Sequence, residues 1–188
     1  MRAFAWWGMC IALMTDLVSI APAAAVTIQS LDVTHNQGRY HIAFDVLLVA
    51  DAAKTYELVS NYRKWPQFFR TLKEAHLVTT FPDGRQRIRL TFRSCVLFIC
   101  RKIRQTKDVT RRQHGDVFTR IVADGDYFES GWEHWRLIAN EQDTRLQYRA
   151  ELVPAFDLLP LIGPWLLKKK LRRSLLWAAE KAEVLAAP

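Results

Sequence analysis

The sequence has 188 residues, half of them hydrophobic, with 27 Lys and Arg against 19 Asp and Glu, for a net charge of +8. That length suits one domain with a sizeable core, and the absence of internal repeats or low-complexity tracts excludes a repeat array or a disordered tail. The positive balance favours anionic partners, lipid headgroups or nucleic acid.

The first 25 residues read as a segment outside the fold. Arg2 starts it, Phe4 to Leu13 is mostly apolar, and Ala23-Ala24-Ala25 supplies small residues for cleavage, the pattern of a secretory signal peptide. Asp16 interrupts the apolar stretch, which argues against a membrane-spanning helix. Cys10 follows Trp7-Gly8-Met9, which lacks the small-residue pattern of lipoprotein processing. The expectation is a signal peptide over 1–25, one domain over 26–188 and a periplasmic or otherwise exported address. Export then favours lipid over nucleic acid as the anionic partner.

From Val26 to Thr34 a weak alternation predicts a strand, and His35-Asn36-Gln37-Gly38 a turn. Tyr40, Ile42, Phe44, Val46 and Leu48 repeat with period two, a strand with one apolar face. Asp51 is an N-cap for a short helix through Asn61. Trp65-Pro66 marks a second helical turn within Tyr62 to Arg70, with proline near its start. Strands follow over 71–81, 85–94, 101–110 (the most polar), 117–123, 128–138 and 144–152, separated by Pro82-Asp83-Gly84, His114-Gly115-Asp116 and other turn signals. A bulge is expected at Gly131. Pro154 and Pro160 bracket a link. Beyond it a helix from about Leu161 to Leu185 carries Leu167, Leu171, Leu175, Ala178, Ala182 and Leu185 on one face. No further segment is apolar enough to span a bilayer. Short links with turn residues favour an antiparallel meander over parallel βαβ units, so the fold class is α+β.

Removal of Cys10 would leave Cys95 and Cys100, an even pair in an exported chain. A bridge needs Cα atoms roughly 4.4–6.8 Å apart, whereas five extended steps span roughly 17 Å. Either the chain reverses between them and they bond, or they stay free thiols. No turn residue lies between them. A reversal would push Val96, Leu97, Phe98 and Ile99 to an apolar tip suited to a membrane contact.

Several words resemble the START-like superfamily of polyketide cyclases, birch-pollen-allergen-type and coenzyme-Q-binding proteins. They are Tyr56-Glu57-Leu58-Val59 with Tyr62, Trp65-Pro66-Gln67-Phe68-Phe69, Gly131-Trp132 with Trp135-Arg136-Leu137, Asp143-Thr144, and the terminal helix. The resemblance covers essentially all of the chain after residue 25. It implies a helix-grip fold: a bent antiparallel sheet wrapped around a long C-terminal helix, two short helices after the first main strand, and a pocket between sheet and helix. An exported member of the coenzyme-Q-binding-like branch is the nearest expectation.

Catalytic and metal signals are poor. The five histidines are scattered without metal-ligand spacing, and no phosphate loop or nucleophile elbow appears. No catalytic residue, metal or cofactor is assigned. His134 could act as a pocket base but reads better as an ordinary strand histidine. The candidate pocket residues are Phe68, Phe92, Phe118, Trp132, Trp135, Tyr148, Leu167, Leu171, Leu175 and Ala178. Phe98, Trp165, Lys168, Lys169 and Arg172 form a candidate membrane or anionic surface. Arg85, Arg87, Arg89, Arg93, Arg145 and Arg149 would lie on the outer face of the sheet. The expected function is binding, or transport, of a hydrophobic small molecule such as a lipid or isoprenoid quinone. The rivals are a cyclase or aromatase-type enzyme using the same pocket, and an interaction module with a solid core. Polar groups converging inside a cavity would favour the enzyme, and a closed core the module. Oligomeric state is not legible.

Overall fold

The computed structural model describes residues 26–96, 99–112, 115–123, 127–141, 143–155 and 163–187. Residues 1–25 with Cys10, the hairpin residues Leu97 and Phe98, His114, and most of the link before the last helix lie outside the described residues.

Eight strands form one antiparallel sheet: β1 (Thr27–Asn36), β2 (Arg39–Leu48), β3 (Leu72–Thr80), β4 (Gln86–Val96), β5 (Ile99–Arg111), β6 (Asp116–Val122), β7 (Phe128–Ala139) and β8 (Thr144–Pro154). Their spatial order is β1-β2-β8-β7-β6-β5-β4-β3. Hairpins make most of it, and the chain crosses over once, from β2 to β3 through α1 (Ala52–Ser60), a 3-10 turn (Tyr62–Lys64) and α2 (Trp65–Phe68). The curved sheet closes on α3 (Gly163–Leu185), which is the helix-grip architecture.

Period-two patterning places the core. In β2 the side chains of Tyr40, Ile42, Phe44, Val46 and Leu48 are buried on one face, and β4 adds Ile88 and Leu90. The Asp51 carboxylate accepts from the Lys54 amide at 2.8 Å, capping α1. Pro66 sits in the first turn of α2, where its missing N–H costs nothing. Gly38 and Gly84 take positive φ in the β1–β2 and β3–β4 turns. The far end of α3 is tied down: Ala186 O accepts from Asp51 N at 2.9 Å, and the Glu183 carboxylate from Val49 N at 2.7 Å.

Three details differ from the sequence expectation. The bulge in β7 falls between Phe128 and Ser130, not at Gly131. Gly131 serves close approach instead: a Cβ there would stand 2.7 Å from both Glu151 O and Ile121 Cδ1. Leu185 is 43% exposed, because the helix turns Ala179, Ala182 and Ala186 to the sheet at its end. Three of the outward arginines also hold buried carboxylates. Arg85 and Arg87 hold the buried Asp108, and Arg145 holds the buried Asp45.

Candidate ligand-binding site

Strand parity decides what faces α3. Leu90 and Phe92 of β4, Ile103, Gln105 and Lys107 of β5, Glu133 and Trp135 of β7, and Tyr148 and Leu152 of β8 line a cavity of about 280 Å³. Leu167, Lys170, Leu171, Ser174 and Leu175 of α3 close it, with Trp65 and Phe69 at the side. Its size is near the lower end for small-molecule pockets, and the lining is mostly apolar. The rim residues Phe92, Leu152, Leu167, Lys170 and Leu171 are half-buried, whereas Gln105, Lys107, Glu133, Trp135 and Tyr148 are buried. The cavity therefore has an apolar approach and a polar floor.

The floor is built around one carboxylate. Lys107 Nζ lies 2.7 Å from both oxygens of Glu133, with only 5% and 10% of the two side chains exposed. Thr119 donates its hydroxyl to Glu133 Oε2 at 2.8 Å and Tyr148 to Oε1 at 3.3 Å. Thr119 and Glu133 are direct cross-strand partners, while Lys107 reaches across β6 from β5. Such a pair is tolerated in a low-dielectric interior because the remaining lone pairs are satisfied. Burial, and then the Glu133 charge, pushes the Tyr148 hydroxyl well above its ordinary pKa, so it stays protonated and donates. Tyr148 also packs on Trp135, ring centres 4.2 Å apart.

Of the ten pocket candidates, Phe92, Trp135, Tyr148, Leu167, Leu171 and Leu175 line the cavity. Phe68 and Ala178 are packed into the core beside it. Phe118 and Trp132 are a correction: they stand on the other face of the sheet, ring planes 14° apart, with the Arg112 guanidinium over Phe118. Trp132 is three residues from Trp135, and an odd spacing on a strand reverses the face. His134 shares that outer face, 3.4 Å from Asp116, and cannot act within the cavity. Gln105, Lys107, Thr119 and Glu133 were missed. Ile103 and Val109 have the parity of Gln105 and Lys107, and Trp135 and Leu137 that of Glu133, which is the signal that could have found them. Among the described residues no cluster of His, Cys, Asp or Glu could hold a metal ion.

Cys95 and Cys100 are bonded across the β4–β5 hairpin, where they are register partners with Cα atoms 3.9 Å apart. The chain reversal that the bridge requires is that hairpin. Lys170 of α3 donates to Cys95 O at 2.9 Å, so the start of the helix and the end of the hairpin meet beside the cavity rim. Trp165 is 63% exposed on the same stretch of helix, with Lys169 Nζ 5.0 Å from its ring centre, and Lys168 and Arg172 are exposed. No helix among the described residues is long and apolar enough to cross a membrane.

A curved antiparallel sheet gripping one helix around an internal cavity defines a START-like domain. The chain belongs to the polyketide cyclase / dehydrase and lipid transport family, whose model matches residues 48–180. It is similar in structure to a START superfamily protein from Mycobacterium smegmatis, with 21% identity over 78% of this chain and 96% of that one, TM-score 0.62. It is also similar to the Zhui aromatase/cyclase from Streptomyces sp. R1128, with 14% identity over 79% and 93%, TM-score 0.63. Human STARD10 matches with 10% identity over 82% and 73%, TM-score 0.55. No curated protein matches the sequence significantly.

Proposed function

We propose that this domain binds a hydrophobic small molecule, a lipid or an isoprenoid such as a quinone, in the cavity between the sheet and α3, and carries it within the cell envelope. The mostly apolar cavity with buried polar groups at one end is the observation that carries this reading. The family, described by cyclisation, dehydration and lipid transport, supports a small hydrophobic partner. The leader pattern and the Cys95–Cys100 bridge support export, since such bonds persist in oxidising compartments. The exposed Trp165 among Lys168, Lys169 and Arg172, beside the rim, supports loading from an anionic bilayer. Native mass spectrometry of the protein purified from its own envelope tests the reading. A co-purifying apolar molecule, on a chain beginning near Val26, is the expected result. A chain that starts at Met1 in the cytoplasmic fraction would refute export, and one that takes up no apolar molecule would refute binding.

A cyclase or aromatase-type enzyme is the second reading. It rests on Tyr148, Glu133 and Lys107 converging inside the cavity, where acid–base groups would meet a substrate. Turnover of a poly-ketone substrate that disappears in Tyr148→Phe would select it over the carrier.

A further inference from the structure

We infer that the cavity selects an uncharged ligand bearing an acceptor oxygen, such as a ketone or quinone carbonyl, and holds that oxygen at the Gln105–Lys107 floor with the apolar body toward α3. The inference rests on the binding reading above and adds charge selection and orientation to it.

The floor is closed in charge. Glu133 and Lys107 neutralise each other at 2.7 Å, and Thr119 and Tyr148 satisfy the remaining lone pairs of the carboxylate. A ligand carboxylate brought here would meet Glu133 in a medium of low dielectric, where like charges repel strongly. An ammonium would meet Lys107. A neutral head meets neither penalty.

The floor is also rich in unspent donors. An ammonium has three N–H groups, and those of Lys107 that the structure commits go to Glu133. The Gln105 side chain is a cavity-wall residue with 5% exposure and no hydrogen-bond partner among the described residues. The Trp135 indole N–H, buried in the same wall, likewise has no acceptor among them. Donors that face the cavity can serve a ligand, because the acceptors nearby are taken: Glu133 already accepts from three side chains. An incoming carbonyl oxygen supplies what Gln105 and Lys107 lack. The half-buried apolar rim of Phe92, Leu152, Leu167 and Leu171 suits the rest of such a molecule.

The test is displacement of a neutral naphthylamine dye from the whole chain by three matched probes: 2-decanone, decane and decanoate. The ketone should compete better than the alkane by roughly fivefold, the scale of one net hydrogen bond, and better than the carboxylate by more. Gln105→Leu should bring the ketone-to-alkane ratio close to one, whatever it does to the affinity of either probe alone. Decanoate matching or beating the ketone on the parent protein overturns charge selection, whatever the variant does. An unchanged ketone-to-alkane ratio in a folded Gln105→Leu overturns the assigned floor. Both results leave pocket binding standing, because the alkane still displaces the dye. Failure of every probe, with no dye uptake, overturns the binding reading and this inference together.

Discussion

Lys107 and Glu133 meet inside the sheet from strands that are not neighbours, one ammonium spanning both carboxylate oxygens at 2.7 Å. Removing one partner leaves the other charged and buried. Lys107→Met should therefore destabilise the domain by about 3–5 kcal/mol. Lys107→Met combined with Glu133→Gln should recover most of that loss, because no buried charge remains and the amide oxygen still accepts from Thr119, with its NH2 turned to the Tyr148 hydroxyl oxygen. Urea unfolding of the parent, the single and the double variant checks this; a double variant no more stable than the single contradicts it.

Two carboxylates on the other face govern acid stability. Hydrogen bonding from Arg145 lowers the Asp45 pKa, and hydrogen bonding from Arg87 lowers that of Asp108. A carboxylate with a depressed folded-state pKa stabilises the fold above its unfolded value, about 3.9, and the contribution is lost as pH falls through the folded-state value. Stability should thus drop below about pH 4. Asp45→Asn and Asp108→Asn should be less stable than the parent at pH 7 and lose less on acidification. Unfolding curves at both pH values would show a parallel loss if these pairs were unimportant.

Tyr148 gives the opposite signature. Its pKa is raised by burial and by Glu133, so the unfolded chain releases the proton first as pH rises. Its contribution is present below the ordinary tyrosine value of about 10 and lost above it. The phenolate absorbance of Tyr148, isolated by difference against Tyr148→Phe, should appear only with unfolding. Its appearance in a still-folded protein contradicts this burial.

Much of the frame was legible because it depends on local periodicity. The apolar face of β2, the arginine side of β4, the Asp51 cap and the terminal helix all follow from residues near one another in sequence. The cavity floor depends on contacts across strands. The 101–110 strand reads only as the most polar one, with no face assigned, yet β5 is flanked by β4 and β6 and turns Gln105 and Lys107 inward with Ile103 and Val109. Only the β6–β7 register sets Thr119 opposite Glu133. Trp132 lies outside the cavity for a simpler reason: three residues from Trp135 on one strand, it takes the opposite face.

Leu175 is the position for closing the cavity. It is 6% exposed and lines the space facing Trp135 and Tyr148. Leu175→Trp should abolish uptake of the neutral dye while the domain still folds, with a destabilisation no greater than about 1–3 kcal/mol from local overpacking. Undiminished dye uptake in the folded variant would place the ligand elsewhere.

Trp165 is 63% exposed on α3, and Lys168, Lys169 and Arg172 stand around it beside the hairpin that Cys95 and Cys100 pin. Tryptophan gains from the interface between headgroups and acyl chains, and each nearby cation contributes about 1 kcal/mol against an anionic leaflet, roughly fivefold in partitioning. Flotation with phosphatidylglycerol vesicles should therefore recover the parent protein. Trp165→Ser should weaken recovery at every salt concentration, since it removes an apolar anchor. Lys168→Gln with Lys169→Gln should weaken it mainly at low salt, since screening has already suppressed the electrostatic part at high salt. Neither change touches the cavity floor, so dye uptake in the absence of vesicles should stay as in the parent. Full recovery of both variants at low salt would remove this end of α3 from any membrane role and leave the basic residues as a solvated helix face.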